Sequence, residues 1–255
     1  MWSKYDFEFI EALHEEVAED YSETNHPHGE HARVLLTATQ NLHDTDTALR
    51  HLHGDVIGDE HKMQLFYLRR GIRALFSVYH AVKYHHYSTA YSRIRVLLEL
   101  YLVVREMNRK QEKTKQKFQD ARLEIKENEY DPFDSLPFSD YVDGLRRHLL
   151  GTLTDEYESL DTLIGRLSDF GAHPTSIKTP QRELEHIDIL EENVLGFALI
   201  FTFGLAAQYT RTFRGTAIER TIREDMDAVF VAVLWQVGSL PEFFEEDLEF
   251  GSQIG

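Results

Sequence analysis

The run Arg166-Leu167-Ser168-Asp169-Phe170-Gly171-Ala172-His173 holds an arginine and a histidine with six residues between them, where a helical pattern gives way to Gly171 and Pro174. A histidine at a helix end can leave the core and face a cleft. Its imidazole can take the proton from a ribose 2′-hydroxyl near neutral pH, and a neighbouring guanidinium can stabilise the phosphorane that forms. That chemistry is RNA cleavage without a metal. The same residues admit a structural role. His173 could cap helix-terminal carbonyls beside Pro174, and Arg166 could pair with an acid such as Asp169.

Arg95 and Glu99 stand four residues apart in the most apolar part of a long predicted helix, on one face, where they can pair. Charges among leucines are seldom left without a partner, because burying one alone is costly. Glu99, with Arg95, could position Arg166 or His173 across the bundle. The alternative is an ion pair that only orients helices.

Metal chemistry has thinner support. Eight of the fourteen histidines fall between residues 14 and 61. Two Glu-x-x-His pairs, Glu11/His14 and Glu183/His186, each lie on one helix face, the spacing that ligates di-iron centres in helical bundles. No properly placed lone glutamate precedes the first pair. The turn His26-x-His28-x2-His31 could hold zinc and could equally be a solvated polar loop. The expectation is therefore no metal and no cofactor, with a metal-binding helical bundle as the second alternative to a scaffold. There is no cysteine, which removes thiolate catalysis, disulfides and cysteine–zinc sites. A Walker loop, a dinucleotide fingerprint, a nucleophile elbow and a His-Glu-x-x-His motif are all missing.

The segment from Arg105 to Lys126 has eight basic and four acidic residues and holds five of the nine lysines. It is a candidate surface for RNA or a protein partner. The alternative is an exposed helix laced with its own ion pairs. The rest of the chain is strongly acidic, with a formal net charge of −17 over 255 residues. Acidic excess with few lysines is the composition of haloarchaeal proteins. Such charge is tolerated in concentrated salt, where the Debye length falls to about 3 Å at 1 M. It argues against general binding to nucleic acid or anionic membranes.

These residues must be positioned by helices. Six prolines and fourteen glycines are few for an all-β chain, and no stretch alternates in the strand manner. Apolar positions repeat at three and four instead. The spacing predicts an acidic amphipathic helix over 4–20, then helices over 32–53, 61–85, 88–128, 138–150, 154–170 opened by Thr154, 180–212 and 216–238. The fold class is all-α, a bundle of seven or eight helices. The sequence divides into an N-terminal helical subdomain over 1–60, a main bundle over 61–240 and an acidic, mobile tail over 241–255. The apolar run from Val194 to Tyr209 is sixteen residues long, short of the roughly 20 that a membrane span needs, so it reads as a buried central helix. The first residues lack a basic stretch followed by an apolar one, so the expected location is cytoplasmic, with no membrane partner.

The order Tyr84-His85-His86-Tyr87, then Ala90 to Glu99 with Arg95-x-Leu-Leu-Glu99, then Leu167-Ser168-Asp169-Phe170-Gly-Ala-His173-Pro174 resembles a group of prokaryotic helical proteins. These carry an Arg-Leu-Leu-Glu helix followed by a serine-containing turn ending in His-Pro. Arg166-x6-His173 is also similar to the Arg-x(4–6)-His pattern of HEPN domains. Those domains are helical bundles, many of them metal-independent ribonucleases of defence systems and some of them inactive binding modules. The resemblance covers roughly residues 65–210. It implies His173 as general base, Arg166 as phosphorane stabiliser, Glu99 and Arg95 as positioning groups, and a homodimer. Leu167 stands where a polar residue often follows the HEPN arginine. That departure favours a scaffold or binding module over a nuclease.

Overall fold

A computed structural model of the chain describes residues 29–52, 57–127, 137–157, 164–165, 167 and 187–247. The described residues form seven α-helices and one short 3-10 turn, with no strands among them, so the chain is an all-α helical bundle. The helices are α1 (Gly29–Leu52), α2 (Asp59–Lys83), α3 (Tyr87–Arg109), α4 (Gln111–Glu127), α5 (Pro137–Glu156), α6 (Ile187–Thr212) and α7 (Glu219–Val237), followed by the 3-10 turn Glu242–Phe244. The acidic segment 4–20 lies outside the described residues.

Helix α6 is the axis of the bundle. From Phe201 to Thr210 every residue is buried, as a helix apolar on all sides must be. Helices α1, α2, α3 and α7 pack around it. The window Glu191–Thr212 is long and apolar enough by composition to cross a membrane, and 78% of it is buried inside the bundle. The surrounding helices are amphipathic. Leu35, Ala38, Leu42 and Leu49 of α1 face the core, as do Leu65, Leu68, Ile72, Leu75 and Val82 of α2. The core residues of α1 are continuous with those of the rest of the molecule. On the far side, α4 and α5 pack against α2, α3 and each other.

Three elements differ from the sequence reading. The helix expected over 88–128 is two helices. The chain leaves helical geometry at Lys110, with φ −117° and ψ 44°, and α4 sets off in a new direction. No proline or glycine marks the break. Thr114 holds it, donating its hydroxyl to the Met107 carbonyl at 3.4 Å and meeting the Tyr141 hydroxyl of α5 at 3.3 Å. Thr154, expected to open a helix, lies within α5, which runs past residue 150 to Glu156. Finally, the start of the acidic tail is part of the core. Phe243 and Phe244 are buried with their rings tilted against each other, and Phe244 stacks on Tyr101 of α3. The acidic composition of 241–255 concealed two aromatic side chains with about 150–250 Å² each to bury.

Candidate functional site

At one end of the bundle the α2–α3 turn presents a connected polar chain. Helix α2 closes on Tyr84, and the backbone N–H of His85 donates to Val82 O at 2.9 Å while that of His86 donates to Ala81 O at 2.7 Å. This is the Schellman pattern, whose left-handed position is normally glycine. Here it is His85, with φ 56°, the one non-glycine at positive φ among the described residues. A left-handed backbone costs an L-residue about 1–2 kcal/mol. The imidazole gives that position a specific contact. His85 Nδ1 stands 2.7 Å from the Tyr87 hydroxyl, and that hydroxyl donates to Glu191 Oε2 at 3.0 Å. With its proton committed to Glu191, the tyrosine oxygen accepts from His85, which fixes the proton on Nδ1. Tyr87 and Glu191 are buried, while His85 is exposed. The arrangement is a carboxylate, a tyrosine bridge and a surface imidazole of defined tautomer, the components of an acid–base relay.

The sequence shows Tyr84 to Tyr87 as one aromatic and histidine run, with nothing beside it that points to Glu191. Glu191 lies 104 positions from Tyr87, and only packing of α6 against α3 joins them. Tyr87→Phe removes a donor from a buried carboxylate. Its expected cost is about 1–3 kcal/mol in urea unfolding, with a loss under about 0.5 kcal/mol marking the hydrogen bond as unimportant.

Arg166 and His173 lie outside the described residues. Their neighbour Leu167 is buried in the core, packed with the same cluster as the helices around it. Arg95 and Glu99 are described and are paired. Arg95 Nε stands 3.5 Å from Glu99 Oε1, and Arg146 Nη1 of α5 donates to Glu99 Oε2 at 3.3 Å. They do not sit among leucines, as the sequence suggested. Leu97 and Leu98 point into the core, whereas Glu99 is 23% and Arg95 41% exposed in the groove between α3 and α5. Glu99 is 12 residues from Tyr87, about 18 Å along the helix axis. The two groups are therefore separate features of α3.

The basic segment from Arg105 is divided by the break at Lys110. Lys113, Lys117 and Arg122 are exposed on α4, whereas Thr114 and Ala121 are buried beneath them. Arg105 and Arg109 turn the other way, toward the C-terminal segment. Arg105 Nη1 donates to Phe243 O at 2.8 Å, and its Nη2 stands 3.0 Å from Glu246 Oε2. Arg109 Nη2 pairs with Glu246 Oε1. Arg211 of α6 donates to Glu246 O at 2.6 Å and pairs with Asp247 Oδ1 at 3.1 Å. Asp247, fully buried, also accepts from the Tyr101 hydroxyl and from Gln208 Nε2.

The two acids respond oppositely to pH. Burial raises Asp247 above the usual aspartate range, against the pull of Arg211, Tyr101 and Arg105. Burial also acts to raise Glu246, but the hydrogen bond and charge of Arg105, with Arg109 and Arg211, outweigh it and hold Glu246 low. The folded state therefore binds a proton at Asp247 more readily than the unfolded chain does. Stability falls as pH rises from the ordinary aspartate value through the raised one. The contribution of Glu246 is present above the ordinary glutamate value and is lost as pH falls through its lowered one. Urea unfolding across acid pH is expected to show the first slope in the parent and not in Asp247→Asn. An unchanged slope would refute the assignment.

Among the described residues no group of three or more histidines, aspartates or glutamates could hold one ion. His31, the described member of the loop histidines, stands 3.2 Å from Gln236 Nε2. The rest of that cluster and both Glu-x-x-His pairs lie outside the described residues. Comparison with protein-family models, curated proteins and solved structures finds no match to the chain.

Proposed function

We propose that this chain is a helical scaffold or binding module of defence or regulatory type, HEPN-like in organisation, working in the cytoplasm of a halophile. The observation that carries the reading is the outer face of α7. Ala228, Val231 and Trp235 follow one another at three and four residues and are exposed, with Val231 at 52% and Trp235 at 87%. A tryptophan left in water on a chain this acidic is a contact residue awaiting a partner. The partner is a second copy, in keeping with the dimer that the HEPN resemblance implies. Like-charge repulsion between copies is screened in molar salt. Trp235→Ser is expected to change stability by less than about 0.5 kcal/mol. In sedimentation at high potassium chloride it should convert a dimeric parent to monomer. A monomeric parent would remove the stripe from the argument, and so would a variant that still dimerises.

The second reading is a metal-independent ribonuclease, with His173 as base, Arg166 stabilising the phosphorane, and Glu99 with Arg95 as positioning groups. The observation that favours it is the relay from Glu191 through Tyr87 to His85, the last two of which lie in the motif that carries the resemblance. The assay is cleavage of RNA in high potassium chloride with a chelator present. Arg166→Ala or His173→Ala variants that cleave as well as the parent would end this reading. His85→Gly is a useful control. It relieves left-handed strain of about 1 kcal/mol and loses a hydrogen bond of similar worth, so its fold should persist.

A further inference from the structure

We propose that Arg105, Arg109 and Arg211 form a binding site for a phosphate-class oxyanion, and that the Glu246 carboxylate occupies it as an internal stand-in. Arg105 and Arg109 hold the Glu246 carboxylate and Arg211 holds the Glu246 main-chain carbonyl, so three guanidiniums surround one residue of a chain whose net charge is −17. Two come from successive turns of α3 and the third from α6. The carboxylate fits the site incompletely. The Nε and Nη2 of an arginine share one edge of the guanidinium, the edge that takes two oxygens of an anion side by side. Glu246 engages Arg105 only through Nη2. Arg105 Nε is buried without a hydrogen-bond partner, on a side chain 6% exposed. A carboxylate has two oxygens, and here one goes to Arg105 and the other to Arg109. A tetrahedral oxyanion has enough oxygens to fill both donors of the Arg105 edge and still reach Arg109.

The site can also be entered. Glu246 and Arg109 are 46% and 48% exposed, so the carboxylate can swing into water by side-chain rotation. The segment itself stays anchored by Phe243 and Phe244. Once Glu246 has left, Asp247 remains on Arg211 at 3.1 Å and Glu106 stands 4.0 Å from Arg109. Glu246 and the ligand are then alternatives that compete for one place.

The test is a titration with inorganic phosphate at fixed potassium chloride, followed by calorimetry, on the full chain. Glu246→Ala empties the place and is expected to bind phosphate about tenfold or more tightly than the parent. Adding Arg109→Gln should abolish that gain. Glu246→Gln, which keeps the side-chain volume, guards against a folding defect in the alanine variant and should also bind more tightly than the parent. An RNA strand with hydroxyl ends forms a second arm. Displacement of phosphate by that strand assigns the site to backbone phosphates, and failure to displace it assigns the site to free or terminal phosphate. No saturable phosphate binding by either Glu246 variant overturns the proposal, as does binding that survives Arg109→Gln. The cluster would then be only a clamp for the C-terminal segment.

Discussion

Asp46→Ala is expected to lower the free energy of unfolding by about 3 kcal/mol, the low end of the range for breaking a buried ion pair. The Asp46 side chain is 2% exposed between α1, α2 and α6. Arg69 Nε reaches both of its oxygens, at 2.7 and 3.0 Å, and Arg50 Nη2 stands at 3.0 Å. The Tyr209 hydroxyl donates to it at 3.3 Å from the central helix. Burial raises Tyr209 well above the usual tyrosine range, with the charge of Asp46 adding to it, so the hydroxyl remains a donor. Alanine strands these donors together. The effect stays at the low end because Arg69 is 30% exposed and can recover some water. Arg50, at 45% exposure, is the control, and Arg50→Ala should cost less than about 1 kcal/mol. Chemical unfolding at fixed potassium chloride measures both. Equal, small losses would mean that Asp46 organises nothing.

Gly204→Val should be at least as damaging, by steric means. A Cβ built at Gly204 would lie 2.6 Å from Phe244 and 2.9 Å from the Tyr101 ring. Both are rigid aromatic rings stacked on each other at 4.7 Å. Neither can yield without lifting the C-terminal segment from α6. Overpacking of this kind costs about 1–3 kcal/mol, and a branched side chain here should reach or exceed the top of that range. Gly71→Ala is the comparison. Its Cβ would meet the tip of Leu205 at 2.8 Å, which can turn aside, and alanine gains about 1 kcal/mol of helix propensity. The net change there should be within about 1 kcal/mol of zero. If Gly204→Val unfolds at the same urea concentration as Gly71→Ala, the aromatic stack does not hold the segment down.

The helices whose apolar residues repeat cleanly are legible in the sequence. Leu65, Leu68, Ile72 and Leu75 mark α2 by spacing alone, and the all-apolar run around Phe201 marks α6 as the interior helix. The break at Lys110 was not legible, because a threonine side chain and a tyrosine from another helix create it, not a glycine or proline. The docking of Phe243 and Phe244 was hidden by the acids around them, since composition averages over residues that face different ways. For the site, pairing of Arg95 with Glu99 follows from their spacing, whereas the third partner, Arg146, and the half-buried setting do not. The links from Tyr87 to Glu191 and from Tyr101 to Asp247 join positions more than a hundred residues apart. No local pattern encodes such pairs. Only helix packing brings them together.

The aromatic lid over α6 has a consequence for synthesis. The side of the central helix that meets Phe244 cannot be covered until the ribosome has added the 35 residues that separate Thr212 from Asp247. At about 5–20 residues per second that interval is roughly 2–7 s. During it the most apolar helix of the chain lies partly bare, waiting on the codons for Phe243 and Phe244. A message cut short just after α7 would yield a polypeptide with the seven described helices and without the Phe243–Phe244 closure, and aggregates should collect from that species first.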